Sequence, residues 1–169
     1  YFHIDLFKYK FSELVVIKLF KIWEIFQKVE VVIINTYINK MDHKYKFRTY
    51  YEDTDAAGVI FYANYFKFTE RARTELIYER LKLKRLELKE KFDVIFVVKS
   101  LTSKYIAPAK FEDQLVVISK ILEKSPVRLV LEQNIERTNK LIFMSTIELA
   151  VVSSKGKITK LPEKLLSLI

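Results

Sequence analysis

The stretch from Tyr50 to Glu75 constrains the fold of this chain more than any other part of the sequence. An acidic turn, D-T-D-A-A-G, leads at once into a segment with helical periodicity. From Tyr65 the apolar residues recur at the spacing of one helix face. These residues are Tyr65, Phe68, Ala72 and Leu76, widened by Phe66, Thr69 and Ile77. The opposite face is polar, with Lys67, Glu70, Arg71, Arg73 and Glu75. The pattern predicts a turn that enters a long amphipathic helix, which ends near Arg80 and buries its apolar face.

The turn carries residues with chemical uses. Asp55 lies three residues before Gly58, and a glycine lets the backbone turn sharply or approach a ligand closely. The free N–H groups at a helix N-terminus can polarise a carbonyl or hold an oxyanion. A nearby carboxylate can attack a thioester carbonyl or activate a water. The residues alone leave two interpretations open, because Asp53 or Asp55 can also cap the turn or the helix.

The rest of the chain predicts an antiparallel sheet. The alternation K-Y-K-F-R-T-Y-Y predicts a half-buried strand over Lys44–Tyr51. One face of this strand carries Tyr45, Phe47, Thr49 and Tyr51. Four later segments are rich in β-branched and aromatic residues and are separated by turn residues. They are Val94–Ala107, Gln114–Leu122, Arg128–Arg137 and Leu141–Ser153. One long helix followed by consecutive strands indicates an α+β fold with the helix packed on one face of the sheet.

Composition restricts the functional classes. A chain of 169 residues fits one domain with a real core. The absence of cysteine excludes disulfides, thiolate catalysis and cysteine-ligated metals, and the two histidines lie outside any metal-ligand spacing. The net charge of +9 is compatible with a plain basic surface, nucleic acid, anionic lipid or the phosphates of coenzyme A. No basic run or RNA-binding aromatic motif is present, so we expect no nucleic-acid partner.

Two blocks of sequence resemble a known family. They are D-T-D-A-A-G-V-I-F-Y-A-N-Y-F-K-F-x-E-R-A-R-T-E and, at residues 96–115, F-V-V-K-S-L-T-S-K-Y-I-A-P-A-K-F-E-D-Q-L. Both are similar to the 4-hydroxybenzoyl-CoA thioesterase family of hot-dog-fold acyl-CoA thioesterases, and most of all to its Tol–Pal-associated (YbgC-type) subgroup. The resemblance covers about residues 44 to 165. It implies a hot-dog fold, in which the sheet wraps the long helix, and hydrolysis of acyl-CoA to a free acid and coenzyme A.

The resemblance also implies roles for individual residues. Asp55 matches the family's catalytic aspartate, which acts as nucleophile or general base. The backbone N–H seven residues later faces the thioester carbonyl in the family, and here that residue is Tyr62, where the subgroup usually has histidine. Tyr51 matches a tyrosine proposed to assist, with a core aromatic as the alternative. Gly58 belongs to the same motif. Glu70 is a second helix carboxylate, for which an exposed salt bridge to a residue three or four positions away is the favoured interpretation.

Further expectations concern ligands and partners. Candidate contacts for the coenzyme A phosphates are Lys99, Lys104, Lys124 and Arg128. No metal, prosthetic group or other cofactor is needed. The resemblance implies a homodimer or homotetramer in the cytoplasm or at the inner membrane surface, with acyl carrier protein or the Tol–Pal system as further partners. The alternative function is a non-catalytic module of the same fold that binds acyl-CoA or acyl carrier protein.

Residues 1–40 form a separate question. Three interpretations compete: a membrane anchor, an amphipathic surface helix, or translated upstream sequence with Met41 as the natural start. An anchor is disfavoured because charged residues interrupt the apolar run, and a signal peptide because no small-residue cleavage site follows it. We expect residues 1–40 to be an extension outside the native fold and residues 41–169 to be the thioesterase domain. No transmembrane segment is expected.

Overall fold

The computed structural model describes residues 21–24 and 42–169. The chain divides into two units, Tyr1–Lys40 and Met41–Ile169. In the first unit, residues 21–24 are helical, and the other predictions for residues 1–40 concern residues outside the described ranges. None of the described helices has the length and apolar character that crossing a membrane requires.

Five antiparallel strands form the sheet of the second unit. They are β1 (His43–Arg48), β2 (Ile95–Tyr105), β3 (Gln114–Ser125), β4 (Arg128–Arg137) and β5 (Lys140–Val152). Their order across the sheet is β1-β3-β4-β5-β2, which leaves β1 and β2 at the two edges. The turn between β4 and β5 has φ angles of 51° at Thr138 and 60° at Asn139, which suit a tight hairpin. The four predicted later strands are confirmed to within three residues at each end, and β4 has the predicted bounds.

Three helices complete the unit: α1 (Asn64–Leu81), α2 (Arg85–Phe92) and α3 (Glu163–Leu166). The long helix α1 matches the predicted helix closely. Its buried residues are Asn64, Tyr65, Phe68, Thr69, Ala72, Leu76, Ile77 and Leu81. This set contains the predicted apolar face except Phe66, which is half-buried. The pattern of every third and fourth residue therefore located the helix correctly.

The core between α1 and the sheet consists of two apolar clusters. In the first, Tyr65, Phe68 and Ala72 pack with residues of β3, β4 and β5 such as Ile135 and Phe143. In the second, the C-terminal half of α1 packs with α2, the sheet and the chain's last residues. Its members include Leu76, Ile77, Leu81, Leu88, Phe96, Leu131, Ile147, Leu165 and Ile169. The predicted α+β architecture, with one long helix on one face of an antiparallel sheet, is confirmed.

A buried polar group occurs among these core residues. Gln133 of β4 is fully buried, and its side-chain N–H groups donate to the Thr69 carbonyl at 3.0 Å and the Ser119 hydroxyl at 2.9 Å. Arg73 donates to Gln133 Oε1 at 2.6 Å. We call these four residues the Gln133 cluster. The prediction that Arg73 lies on the polar, outer face of the helix is wrong, because the Gln133 side chain draws its guanidinium toward the sheet. Burial there lowers the pKa of Arg73 to about 10.

The predicted first strand extends too far. β1 ends at Arg48, and Thr49 instead bonds to a loop: its hydroxyl donates to the Lys110 carbonyl at 2.6 Å. The carboxylate of Asp53 then accepts the Tyr50 N–H at 2.8 Å and closes a single 3₁₀ turn over Tyr51–Asp53. Tyr51 is 81% exposed in this turn. The predictions that Tyr51 ends the strand and shares its inner face are therefore wrong.

Candidate active site

The Asp55 turn is held by three short hydrogen bonds. The Asp55 N–H donates to the Val59 carbonyl at 2.9 Å, and the Gly58 N–H donates to the Asp55 carbonyl at 3.0 Å. The Ala57 N–H donates to Asp55 Oδ1 at 2.8 Å. Gly58 has a φ of +74°, which glycine adopts without strain and other residues rarely do. Asp55 therefore caps its own turn with one carboxylate oxygen while the residue remains exposed.

Asp53 has a different position. It is buried, and besides its carboxylate bond to the Tyr50 N–H, its carbonyl accepts two hydrogen bonds. The donors are the Phe61 N–H at 2.9 Å and Asn64 Nδ2 at 3.0 Å. Because Asn64 is the first residue of α1, these bonds fix the Asp55 turn to the start of the helix. Asp53 thus holds the loop together, and Asp55 is the carboxylate that faces solvent.

The N-terminus of α1 lies directly after this turn. The residue before the helix, Ala63, provides no capping side chain, and the first helical turn contains no acidic residue. The positive end of the helix dipole is therefore not neutralised by a side chain of its own turn. Tyr62 precedes Ala63 and is 61% exposed. Its carbonyl accepts a hydrogen bond of 3.0 Å from the hydroxyl of Tyr105, on the edge strand β2.

Two clefts border this point. One, of about 290 Å³, is lined by Ile60, Tyr62, Tyr65, Tyr105, Ile106, Ala107 and Pro108. The other, of about 520 Å³, lies beside α1 and contains residues of β2 and β5 in its wall. Its lining residues are Ala63, Phe66, Lys67, Glu70, Arg71, Arg73, Val98, Leu101 and Ile147. Both have mixed apolar and polar walls, as sites for small organic ligands do.

The four candidate phosphate contacts do not form one patch. Lys99 pairs with Glu148 at 3.0 Å, and Arg128 contacts the same carboxylate at 3.2 Å. The hydrogen bond from Lys99 lowers the pKa of Glu148 below its ordinary value. Lys124 donates to the carbonyl of Leu166, in α3, at 3.3 Å. Lys104 neighbours Tyr105 on β2. Their role as phosphate contacts stays a prediction.

Other predicted residues have plain structural partners. Glu70 forms a salt bridge of 2.7 Å with Arg85, which lies on α2, and accepts the Thr74 hydroxyl at 3.0 Å. Glu70 therefore forms a salt bridge, but the prediction of a partner three or four residues away on the same helix is wrong, because Arg85 approaches from α2. Tyr51 meets the ring of Phe111 edge-on with centroids 6.2 Å apart. Within residues 21–24 and 42–169, no group of histidines or carboxylates could hold a metal ion.

Sequence reasoning missed Tyr105 and Asn64. Asn64 was visible only as a residue of the quoted block, and its amide reaches Asp53 through the folded loop. Tyr105 was part of a predicted strand, and aromatic residues are common in strands, so its residue type gave no sign of a function. Its contact with Tyr62 depends on where the edge strand lies relative to α1, which no local pattern reveals.

Comparisons with known proteins agree with this architecture. Residues 57–142 match the family model described as Thioesterase superfamily. The chain is 37% identical over 114 residues to Acyl-CoA thioesterase YbgC of Haemophilus influenzae, covering 66% of this chain and 83% of that protein. It is 41% identical over 88 residues to Acyl-CoA thioester hydrolase YbgC of Escherichia coli O6:H1, covering 52% of this chain and 64% of that protein.

A solved structure extends the likeness to three dimensions. The structure of a gentisyl-coenzyme A thioesterase superposes with a TM-score of 0.66 at 27% sequence identity, covering 72% of this chain and 98% of that one. The predicted hot-dog fold and the predicted family are confirmed by these matches.

Proposed function

Because the chain belongs to the Thioesterase superfamily, we propose that it is an acyl-CoA thioesterase, which hydrolyses acyl-CoA to a free acid and coenzyme A. The observation that carries this proposal is the pairing of an exposed carboxylate, Asp55, with the uncapped N-terminus of α1 that follows its turn. Relatives named as acyl-CoA thioesterases supply the substrate class.

The general-base route uses one water. The Asp55 carboxylate takes a proton from the water, and the water oxygen forms a bond to the thioester carbon. The π electrons of the thioester C=O bond move to the carbonyl oxygen, which becomes an oxyanion. The Tyr62 backbone N–H donates to this oxyanion, and the helix dipole favours its negative charge. Collapse of the intermediate breaks the C–S bond, and the proton held by Asp55 passes to the departing thiolate. Thiolate is a good leaving group, so stabilising the oxyanion is the more demanding task.

The nucleophilic route uses the same groups in two steps. An Asp55 oxygen attacks the thioester carbon, and the C–S bond breaks to give a mixed anhydride and the thiolate. Water then hydrolyses the anhydride and restores the carboxylate. Acid quenching during a single turnover would trap such an anhydride as an acyl group covalently attached to the protein, whereas the general-base route forms no acyl-enzyme.

The decisive variants are Asp55→Asn and Asp53→Asn. The amide oxygen of an asparagine can still accept the hydrogen bond that each aspartate accepts, from the Tyr50 N–H at position 53 and from the Ala57 N–H at position 55. Both variants should therefore fold. We expect Asp55→Asn to lower thiol release from acyl-CoA by ~10²-fold or more, on the scale of base or nucleophile loss. Asp53→Asn should cost far less, because its carboxylate only caps the Tyr50 N–H. Equal losses of activity in the two variants would mean that both substitutions destabilise the turn and that Asp55 has no catalytic role. Running the assay over a panel of acyl chain lengths would define the acyl preference.

The second candidate function is a binding module without turnover. It is motivated by Tyr62, which stands where the subgroup usually has histidine. The backbone donor does not depend on the side chain, so we favour the enzyme. Wild-type protein that binds acyl-CoA, releases no thiol and is indifferent to Asp55→Asn would establish the module instead.

We further propose a homo-oligomer, at least a dimer, formed through the edge strand β2. An edge strand offers unpaired backbone groups to a second copy. Apolar side chains are exposed along and just after this strand, among them Val98 at 55%, together with Leu101, Tyr105 and Ile106. Such a surface marks an interface more often than a free face. A monomer at micromolar concentration in light scattering would refute this.

Acyl carrier protein, the Tol–Pal system and a cytoplasmic location remain proposals drawn from the resemblance.

A further inference from the structure

We propose that Tyr105 is a positioning residue for thioester hydrolysis, because its hydroxyl holds the peptide group that follows Tyr62 beside the reacting carbonyl. This inference rests on the proposed function and concerns a residue to which the resemblance gives no role. Tyr105 acts through the backbone and does not itself touch the thioester.

The central contact is the hydrogen bond of 3.0 Å from the Tyr105 hydroxyl to the Tyr62 carbonyl. A peptide group is planar, so fixing its carbonyl also fixes the direction of the Ala63 N–H and restrains the backbone dihedrals of Tyr62. Those dihedrals set where the Tyr62 N–H points. An oxyanion donor stabilises the transition state only when it is aimed at the oxygen in advance, and a misplacement of about 1 Å can cost ~10²-fold in rate.

The hydroxyl itself is held by a rigid element. Tyr105 pairs with Phe143 in the β2–β5 register, and the two rings lie 5.1 Å apart. The Tyr105 ring also meets Tyr65 edge-on at 5.3 Å, and Tyr65 in turn lies 5.1 Å from Phe143. Tyrosine is protonated at neutral pH, and partial burial raises the pKa of Tyr105 further, so its hydroxyl is a donor under assay conditions. A donor carried by a packed strand side chain is more precise than one carried by a loop.

The Tyr105 hydrogen bond is one of two sets of contacts that hold the segment around Tyr62. Asp53 holds the same segment from the other direction, since its carbonyl accepts the Phe61 N–H and Asn64 Nδ2. Between these anchors the chain passes through Tyr62 and Ala63, where the helix has no capping side chain. The Tyr105 hydroxyl therefore orients the segment in which the proposed oxyanion donor lies.

Tyr105→Phe tests this, because it removes the hydroxyl and keeps the ring contacts with Tyr65 and Phe143. We expect kcat for acyl-CoA to fall about 10-fold, with KM changed less than about twofold, since a transition-state interaction is lost and ground-state binding is kept. The carbonyl ¹³C resonance of Tyr62 should also move, which reports the bond directly.

Ser145→Ala is the matched control. The buried Ser145 hydroxyl also donates to a backbone carbonyl, that of Gln133, at 3.2 Å. Its loss should lower the melting temperature and leave kcat unchanged. Equal kcat losses from both variants, or a wild-type kcat in Tyr105→Phe, would overturn the role of Tyr105 alone. Wild-type protein that releases no thiol from any acyl-CoA would refute the proposed function and this role with it.

Discussion

Replacing Gln133 by leucine should destabilise the domain strongly, although the new side chain is apolar and of similar size. Gln133 is fully buried and makes three side-chain hydrogen bonds, to Arg73, Thr69 and Ser119. Leucine can make none of them. The Arg73 guanidinium then loses the oxygen that it contacts at 2.6 Å, in a place where burial already lowers its pKa to about 10.

The magnitude follows from these bonds. A hydrogen bond to a charged group contributes about 1.5–3 kcal/mol, and each neutral one about 0.5–1.5 kcal/mol. The loss is therefore about 2.5–6 kcal/mol, and additional apolar burial by leucine offsets roughly 1 kcal/mol of it. We expect a net loss of about 1.5–5 kcal/mol in the free energy of unfolding, a large part of the stability of an ordinary domain.

The assay is urea unfolding at fixed protein concentration, with the change in free energy taken from the shift of the midpoint at constant slope. Asn134→Leu is the matched control, because it makes the same kind of change at the next position of β4. Asn134 Oδ1 is buried without a hydrogen-bond partner, and Nδ2 makes one long bond of 3.4 Å to Glu132, so replacing this side chain should change stability little. A loss below ~1 kcal/mol for Gln133→Leu, or equal losses for both variants, would show that the Gln133 cluster does not contribute as its geometry indicates.

Three further predictions follow from single features. Gly58→Ala and Gly156→Ala should each lower the free energy of unfolding by about 1–2 kcal/mol, because both glycines have a φ near +74°, with open space where a Cβ would lie. Only Gly58→Ala should also lower thioesterase activity. The Ser154 N–H donates to Asp93 Oδ1 at 2.7 Å and lowers the pKa of Asp93, so its stabilising effect is present above the ordinary pKa of 3.8 and is lost as the pH falls below it. Asp93→Asn should therefore reduce the loss of urea resistance between pH 7 and pH 3, and an unchanged loss would contradict the assignment. A chain that begins at Met41 should match the full chain in melting temperature and hydrolysis rate, and a much lower value of either would make residues 1–40 part of the working protein.

The parts of the fold that were predictable from sequence are those encoded by local periodicity. The helix α1 follows from residues such as Phe68, Ala72 and Leu76, whose spacing alone defines a buried face. Strand β4 was bounded by Ser125-Pro126 and Thr138-Asn139, which are strong turn signals. Tyr51 was misplaced because the alternation continues past Arg48, while a side chain from the following turn, Asp53, ends the ladder.

The site divides in the same way. Asp55, Gly58 and Tyr62 lie in one short stretch, so the turn and the helix start could be recognised together. The predicted phosphate contacts are scattered over three strands, and Lys99 and Arg128 share Glu148 instead of standing free. The sequence identifies a basic residue, but the carboxylate that pairs with it is determined by which strand lies beside it in the sheet.

Sheet register sets the positions of Gln133 and Tyr105, two residues to which the sequence analysis assigned no role. Gln133 pairs with Ser119 of β3 and Ser145 of β5, and Tyr105 of β2 pairs with Phe143 of β5, so these positions are set by three ladders of one antiparallel sheet. A slip of β4 by one residue would turn Gln133 to the opposite face and leave Arg73 facing an apolar sheet. A slip of β2 would move the Tyr105 hydroxyl away from the Tyr62 carbonyl. The slip of β4 would also turn the buried apolar side chains of that strand to the opposite face, so the apolar pattern and the two hydrogen-bonded contacts favour the same register. The polar contacts therefore add to the apolar pattern in specifying the register that places Tyr105 beside Tyr62 and Gln133 beside Arg73.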